Sequence, residues 1–386
     1  MGRQSGSAAA TWLGSGTTVI WVPNTICMYR QVSRSAMCAD GMYEVMRSPK
    51  NIQSGIISRL KIMSDINIAE KRVPQDGRIT ANIGPRRIDL RVATLPTVFG
   101  EKVVMRILDK STALLRLDDL GFLEANRERF ETAYRKPYGT ILVTGPTGSG
   151  KSTTLYATLN IVNDESKNII TVEDPVEYRL AGINQVQVNV KAGLTFASAL
   201  RSILRSDPDI VLVGEIRDRE TATIAVEAAL TGHLVLSTLH TNDAASTPTR
   251  LVEMGVEPFL VASSLDCIVA QRLARRLCDR CKEGYHPTEA ELVQAGWSAD
   301  EFDEMPEFFR AKGCQACGKT GYHGRFAVHE VLLVTEEIER MIVDREHSED
   351  MKKLAIAQGM LTLRRAGLIQ VHAGETSVEE ILRVIA

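Results

Sequence analysis

The feature that most constrains this 386-residue chain is a glycine-rich stretch, Gly145-Pro146-Thr147-Gly148-Ser149-Gly150-Lys151-Ser152. Its spacing is G-x-x-x-x-G-K-[ST]. An apolar run, residues 141–144, precedes it, and a helical pattern follows. The order matters physically. Glycines let backbone N–H groups wrap a polyphosphate, and the N-terminus of the next helix adds a favourable dipole. In such a loop Lys151 reaches the β- and γ-phosphates, and the Ser152 hydroxyl serves Mg²⁺. Together with Thr153 these residues form the candidate nucleotide and magnesium site. A loop of this kind needs a strand before it and a helix after it, so the chain must contain an α/β core.

Three further short apolar runs follow, at residues 169–172, 210–213 and 234–236, with helical patterns between them. Alternation of this kind predicts a parallel sheet buried on both faces. Ligands of such sheets lie beyond the carboxyl ends of the strands, so the polar residues after each run are candidates for one site. After the second run stand Glu173, Asp174, Pro175, Val176 and Glu177; after the third come Gly214, Glu215, Ile216, Arg217 and Asp218. Two carboxylates at neighbouring strand ends suit a water-activating base and a Mg²⁺-associated acid. His233 and His240 bracket the fourth run, and an imidazole there is a candidate sensor of the γ-phosphate. Arg201 and Arg205 share one face of a predicted helix.

Cys278, Cys281, Cys314 and Cys317 form two C-x-x-C pairs. Four thiolates in this spacing saturate a tetrahedral zinc ion and leave no open position, which reads as a structural site. Net charge is −2, which leaves no polybasic footprint for nucleic acid. No apolar run is long enough for a membrane-spanning helix, and the N-terminus lacks a signal-peptide core. The expectation is a cytoplasmic protein without direct membrane insertion.

The domain reading is as follows. Residues 1–38 stay unassigned and are expected to be disordered. Residues 39–109 read as a partial α+β domain of PAS-like type. Its helix carries an apolar stripe of Ile52, Ile56, Leu60 and Met63, widened by Ile57, and its strand-like stretches hold Arg91 and Arg106. Residues 110–138 are a linker and first helix, and 139–270 the ATPase core. The zinc-binding subdomain spans 271–330, and a helical region covers 331–386.

These motifs resemble those of the assembly ATPases of type II secretion and type IV pili. The resemblance runs from about Gly41 to Ala386. It includes Ala69 to Arg78, the phosphate loop, the acidic box from Glu173 to Glu177, and the stretch from Ile210 to Glu215. It continues through the histidine box from Gly232 to Asp243, the four cysteines, Gly321 to Arg325, and Thr376 to Val384. It implies a RecA-like P-loop motor domain behind a smaller N-terminal domain, assembled as a homo-hexamer. Glu177 would be the catalytic base and Glu215 the Mg²⁺-associated carboxylate, with His240 and His233 reading the γ-phosphate. Arg91 and Arg106 match arginines that reach the nucleotide, and Arg201 and Arg205 match a second basic pair. The implied cofactors are ATP, Mg²⁺ and Zn²⁺. The implied partners are an inner-membrane platform protein and the cytoplasmic domain of a secretion or pilus membrane protein. The four cysteines favour an assembly motor. Members of the family carry further N-terminal strands that are not readable here, which implies a truncated front end. Two other classes stand beside this reading: a RecA-like nucleic-acid translocase, and a truncated scaffold that binds nucleotide without turning it over.

Overall fold

A computed structural model describes residues 17–22, 25–30, 43–47, 49–83, 86–108, 116–297 and 306–385. The chain divides into two compact units, Met1–Leu114 and Leu115–Ala386. Among the described residues no helix is long and apolar enough to cross a membrane.

The first unit is an antiparallel sheet with one helix. Its strands are β1 (Thr17–Val22), β2 (Thr25–Arg30), β3 (Tyr43–Arg47), β4 (Gln75–Ile83), β5 (Arg86–Thr97) and β6 (Gly100–Leu108), in the order β3-β2-β1-β6-β5-β4. Two of these strands correct the sequence reading, which left residues 1–38 without elements and the sheet without its opening strands. β1 pairs with β6 through Thr18 opposite Arg106, and with β2 through Val22 opposite Thr25. Both segments are rich in β-branched and aromatic residues, with Pro23 and Asn24 between them in the sequence. That is a hairpin signal, but neither run alternates regularly enough to be read by period alone.

Helix α1 (Gln53–Met63) also departs from expectation. Ile52 and Met63 of the predicted stripe are exposed, Ile57 of the stripe is buried as expected, and Lys61, outside the stripe, is buried with it. Ile57 joins Ile66, Ile79, Val92 and Val103 in the core, with Ile56 and Leu60 packed beside it. The helix is turned toward Lys61 because that side chain buries its stem and meets Glu101 in an ion pair. Its ammonium also donates to Glu70 O at 2.6 Å. Hydrophobic periodicity cannot register a buried charge of this kind.

The second unit opens with α2 (Glu124–Tyr134), β7 (Gly139–Thr144), α3 (Lys151–Val162), β8 (Ile169–Glu173), β9 (Asn184–Gln187), α4 (Phe196–Ile203), β10 (Ile210–Val213), α5 (Arg219–Leu230) and β11 (Leu234–Leu239). It continues with α6 (Ser246–Glu253), α7 (Pro258–Ser264), β12 (Leu265–Leu277), β13 (Lys282–Tyr285), α8 (Glu289–Ala295), β14 (Phe308–Ala311) and β15 (Tyr322–Leu333). Helices α9 (Glu336–Val343), α10 (Ser348–Ala357), α11 (Leu363–His372) and α12 (Val378–Val384) complete it. Its main sheet has the order β15-β12-β7-β11-β10-β8-β9. All neighbours are parallel except β12 and β15. The four apolar runs of the sequence are β7, β8, β10 and β11. Each is apolar throughout because both faces are covered. Leu142, Val211, Val213 and Val235 face one helical layer with α4 and α5. Ile141, Val143, Leu212 and Leu236 face the other, with α2 and α3.

The expected zinc subdomain, residues 271–330, is narrower in the structure. β12 reaches Leu277 and β15 begins at Tyr322, and both belong to the main sheet. Arg272, Arg275 and Arg276 interrupt the apolar run, which hid the strand. The structure accommodates Arg275 because its guanidinium lies 4.0 Å from the Tyr322 ring centroid and 2.8 Å from Glu380. β15 likewise extends the sheet into what the sequence reading took as a helical C-terminal region.

Candidate nucleotide-binding and hydrolytic site

Strand β7 delivers the chain to the glycine-rich loop at the carboxyl end of the sheet. Gly145, Gly148 and Gly150 have φ of 140°, 83° and 91°, in the left-handed region that favours glycine. A Cβ on Gly145 would lie 2.4 Å from Gln271 O, and one on Gly150 2.8 Å from Gln271 Nε2. The loop is therefore packed tightly from behind by β12. Lys151 begins α3 and is buried; its Nζ donates to Gly145 O at 2.8 Å and Pro146 O at 3.1 Å. Burial pulls its ammonium down to about 8, against the attraction of Glu215, and Arg272 adds to the decrease. Ser149 Oγ is buried and lacks a hydrogen-bond partner, while Ser152 is exposed. A loop of left-handed glycines, a cationic side chain and an unsatisfied hydroxyl together fit a polyphosphate.

Glu215 follows β10 and is partly buried. Its carboxylate pairs with Arg217 at 2.6 Å and lies 3.8 Å from His240 Nε2. The other ring nitrogen of His240, at the end of β11, is 3.2 Å from Gly145 O. Lys151, Glu215 and His240 therefore converge on the loop from three adjacent strands. Asp218 has a local role: it caps α5, accepting from Thr221 N at 2.8 Å.

The four cysteine sulfurs lie within 4.8 Å of one another. Cys278 and Cys314 are 4.0 Å apart, and Cys281 and Cys317 are 3.8 Å apart. Burial alone would raise the Cys317 thiol, but the N–H groups of Cys314 and Gly321 point at its sulfur and bring it down to about 6.

The family model for "Type II/IV secretion system protein" matches residues 31–383. The chain belongs to this secretion family. It is 52% identical over 334 residues to the type IV pilus assembly ATPase PilB of Thermus thermophilus. That alignment covers 86% of this chain and 38% of the relative. It is 50% identical over 341 residues to type II secretion system protein E of Pseudomonas aeruginosa, covering 88% and 67%. The chain thus spans little more than a third of the first relative and about two thirds of the second. Two solved structures share its fold. The Legionella pneumophila ATPase DotB superposes with a TM-score of 0.68 at 19% identity, covering 95% of this chain and 90% of DotB. The pilus retraction motor PilT with bound ADP gives 0.66 at 24% identity, covering 97% and 94%.

In this secretion-family chain several expected site residues are placed elsewhere. His233 precedes β11, at the opposite end of the strand from His240. Its Nδ1 lies 2.9 Å from Ala228 O at the end of α5, so it serves that helix terminus. Glu173 ends β8 but is buried, and its carboxylate accepts from the Tyr156 hydroxyl, Thr171 Oγ1 at 2.6 Å and Gln185 Nε2 at 3.2 Å. Those contacts engage it within the protein. Arg201 pairs with Glu220 at 2.6 Å, and Arg205 donates to Ser202 Oγ at 3.3 Å. The neighbouring Ser206 O accepts from Asn168, the residue before β8, so Arg205 sits at the amino end of the sheet and away from the phosphate loop. Arg91 and Arg106 belong to the first unit, where they stand directly opposite each other across β5 and β6, with Arg78 opposite Arg91 on β4.

Other residues at the site were not singled out from the sequence. Gln271 is buried; it donates to Ser149 O and accepts from Thr154 Oγ1, each at 2.8 Å. Arg272 donates to Asn242 O at 2.8 Å. Buried Glu330 accepts from Ala244 N at 2.8 Å and Leu363 N at 3.0 Å, tying the histidine-box loop to α11. The available signal was a polar pair, Gln271 and Arg272, directly after the apolar run from Cys267 to Ala270.

Proposed function

We propose that this chain is a Mg²⁺-dependent ATPase that powers the addition of pilin-type subunits to a filament, in type IV pilus assembly or type II secretion. The observation that carries the proposal is the convergence of Lys151, Glu215 and His240 on a phosphate-shaped loop, in a chain half identical to a pilus assembly ATPase. Lys151 and the N–H groups at the start of α3 hold the phosphates, and Ser152 supplies a Mg²⁺ ligand. Bound Mg²⁺ supplies charge neutralisation at the phosphates. Glu215 is the metal-associated carboxylate, and Glu177 takes the proton of the attacking water. His240, held between Gly145 O and Glu215, monitors the γ-phosphate. Arg91 and Arg106 are the arginines through which the first unit would add to the rate, a contribution worth about 10³–10⁵ for an arginine of this kind.

In this reading the second unit is a RecA-like motor domain working in a homo-hexameric ring. It acts on the cytoplasmic side through an inner-membrane platform protein and the cytoplasmic domain of a secretion or pilus membrane protein. The four cysteines hold a structural Zn²⁺. Sulfurs about 3.8 Å apart are what a tetrahedron with Zn–S bonds of about 2.3 Å requires, and the two closest measured pairs fit that value.

Steady-state ATP hydrolysis tests the proposal. Lys151→Ala should weaken nucleotide binding. Glu177→Gln should keep binding and lose roughly 10²–10⁴ in turnover. Turnover at the wild-type level in Glu177→Gln would transfer the role of base to Glu215.

A further inference from the structure

Tyr156 lies on α3, about 7 Å along the helix axis from Lys151. It is buried to 3% exposure. Its hydroxyl contacts the last residue of β8 and the acidic loop that follows. It donates to Glu173 Oε2, and it accepts from the backbone N–H of Glu177 at 3.4 Å. Its ring meets Tyr178, the residue after Glu177, edge to face at 6.0 Å. Burial, followed by the charge and hydrogen bond of Glu173, pushes the phenol well above its ordinary value, so it stays a donor at any working pH.

The far side of the loop is held as well. Gln185 on β9 donates to Glu173 Oε1 at 3.2 Å and to Tyr178 O at 3.0 Å, and it accepts from Leu180 N at 2.8 Å. Glu173, Gln185 and Tyr156 therefore form a polar frame, buried at Glu173 and Tyr156, around the short segment that presents Glu177. The frame holds the segment at Glu173, at the Glu177 N–H, at the Tyr178 carbonyl and at the Leu180 N–H. The Tyr156 hydroxyl ties it to the helix that carries the phosphate loop close to Glu177, and Asn163 at the end of that helix holds Ala181 O farther along at 3.0 Å.

We propose that Tyr156 is a positioning residue for hydrolysis, coupling the phosphate-loop helix to the loop that carries Glu177 and so fixing that carboxylate relative to the phosphates. The inference rests on Glu177 being the base. The chemistry requires such a device. A general base works only within hydrogen-bond reach of the proton it takes, and a displacement near 1 Å is costly. Two loops leaving different strands do not hold that distance unless something joins them. Nucleotide binding, by contrast, depends on Gly145 to Ser152, where Lys151 is held by Gly145 O and Pro146 O and Ser149 by Gln271, while the Tyr156 hydroxyl meets Glu173 and Glu177.

The test is the full-length chain carrying Tyr156→Phe, which removes one oxygen from an otherwise unchanged ring. The expected result is a kcat lower by roughly 10- to 100-fold with the KM for ATP within about twofold of wild type. ADP should raise the melting temperature as it does in the wild type. Placed in a Glu177→Gln background, Tyr156→Phe should cause no further loss in single-turnover hydrolysis, because it acts through the carboxylate already removed. An unchanged kcat, or losses that multiply in the double variant, would overturn the inference. Gln185→Leu cuts the same frame from β9 and provides a second reading if Tyr156→Phe folds poorly. It should also lower kcat and spare KM, and an unaltered kcat there counts equally against the frame. The two hypotheses separate cleanly. Glu177→Gln that turns over normally removes the base assignment. Glu177→Gln that is inactive beside a fully active Tyr156→Phe removes the positioning role alone.

Discussion

Two loops of the second unit are built on opposite principles. The glycine-rich loop takes its shape from the fold around it. β7 aims it, Gln271 grips it through Ser149 and Thr154, and the three glycines adopt left-handed conformations with no Cβ to clash. The segment between β12 and β15 packs Leu292, Trp297 and Phe308 into the main core, but its knuckles close on its own side chains. It contains a two-stranded sheet, β13 with β14, a short helix and two C-x-x-C knuckles, and it draws together on four sulfurs. A loop shaped by its surroundings can leave Lys151 and Ser149 Oγ free for a ligand. A loop shaped by its own side chains uses those side chains up.

The comparison can be broken at either loop. The largest effect is expected at the cysteines. Serine at Cys278 or Cys314, or removal of metal by a chelator, should abolish stoichiometric zinc and render residues 278–321 protease-sensitive. Structural zinc binding supplies about 10–16 kcal/mol in small zinc domains, so the segment should not hold without it. The main sheet should survive, and nucleotide binding with it. Loss of ADP binding together with the zinc would show that the two loops are not independent. Limited proteolysis and metal analysis on one sample read both outcomes.

A smaller effect is expected at Gln271. Gln271→Leu keeps the volume and leaves Ser149 O and Thr154 Oγ1 without partners, a cost of about 1–3 kcal/mol for each buried group. The KM for ATP should rise while zinc content stays at wild type. An unchanged KM would mean that the glycines alone shape the loop.

The smallest effect concerns protons. Lys151 titrates near 8 in the folded chain and at its ordinary value, 10.5, when unfolded. Between those values the unfolded chain binds more protons, so the nucleotide-free protein should gain stability from this group as pH rises through that window. Phosphate binding needs the charged form. The basic limb of kcat/KM should therefore fall with an apparent pKa near 8, and Lys151→Arg should move that limb upward. A flat profile to pH 10 would show that Lys151 keeps its proton without the ligand.

The sequence disclosed the parts of this molecule that repeat a simple rule. β7, β8, β10 and β11 were legible because strands covered on both faces must be apolar throughout, and the phosphate loop was legible because its glycines and lysine are fixed by what they bind. β12 and β15 were not, because their arginines become acceptable only once Glu380 and Tyr322 lie beside them. His233 was misplaced for a related reason. Position beside a strand does not say which end carries the chemistry, and in a parallel sheet the ends differ. Glu173 read as a residue of the nucleotide site because it ends a strand at the right edge. Its contacts with Tyr156 and Gln185 come from two other segments that no local pattern connects to β8. The gain from Lys61 to Glu101 in the first unit was hidden in the same way.

Strand β12 joins the two loops compared above. Gln271 touches the phosphate loop near its middle, and Cys278 follows its last residue. Six residues lie between them, seven steps of extended chain or about 23 Å. An extended strand is already close to its full contour length, so it cannot stretch. β15 pairs alongside it as far as Leu277, and Glu380 holds Arg275 from the side, so it cannot readily buckle either. β12 is thus a stiff tie between the two loops, with an irregular step between Arg275 and Leu277 just before the cysteines. An axial displacement imposed at Gln271 is carried along it toward the cysteine knuckle.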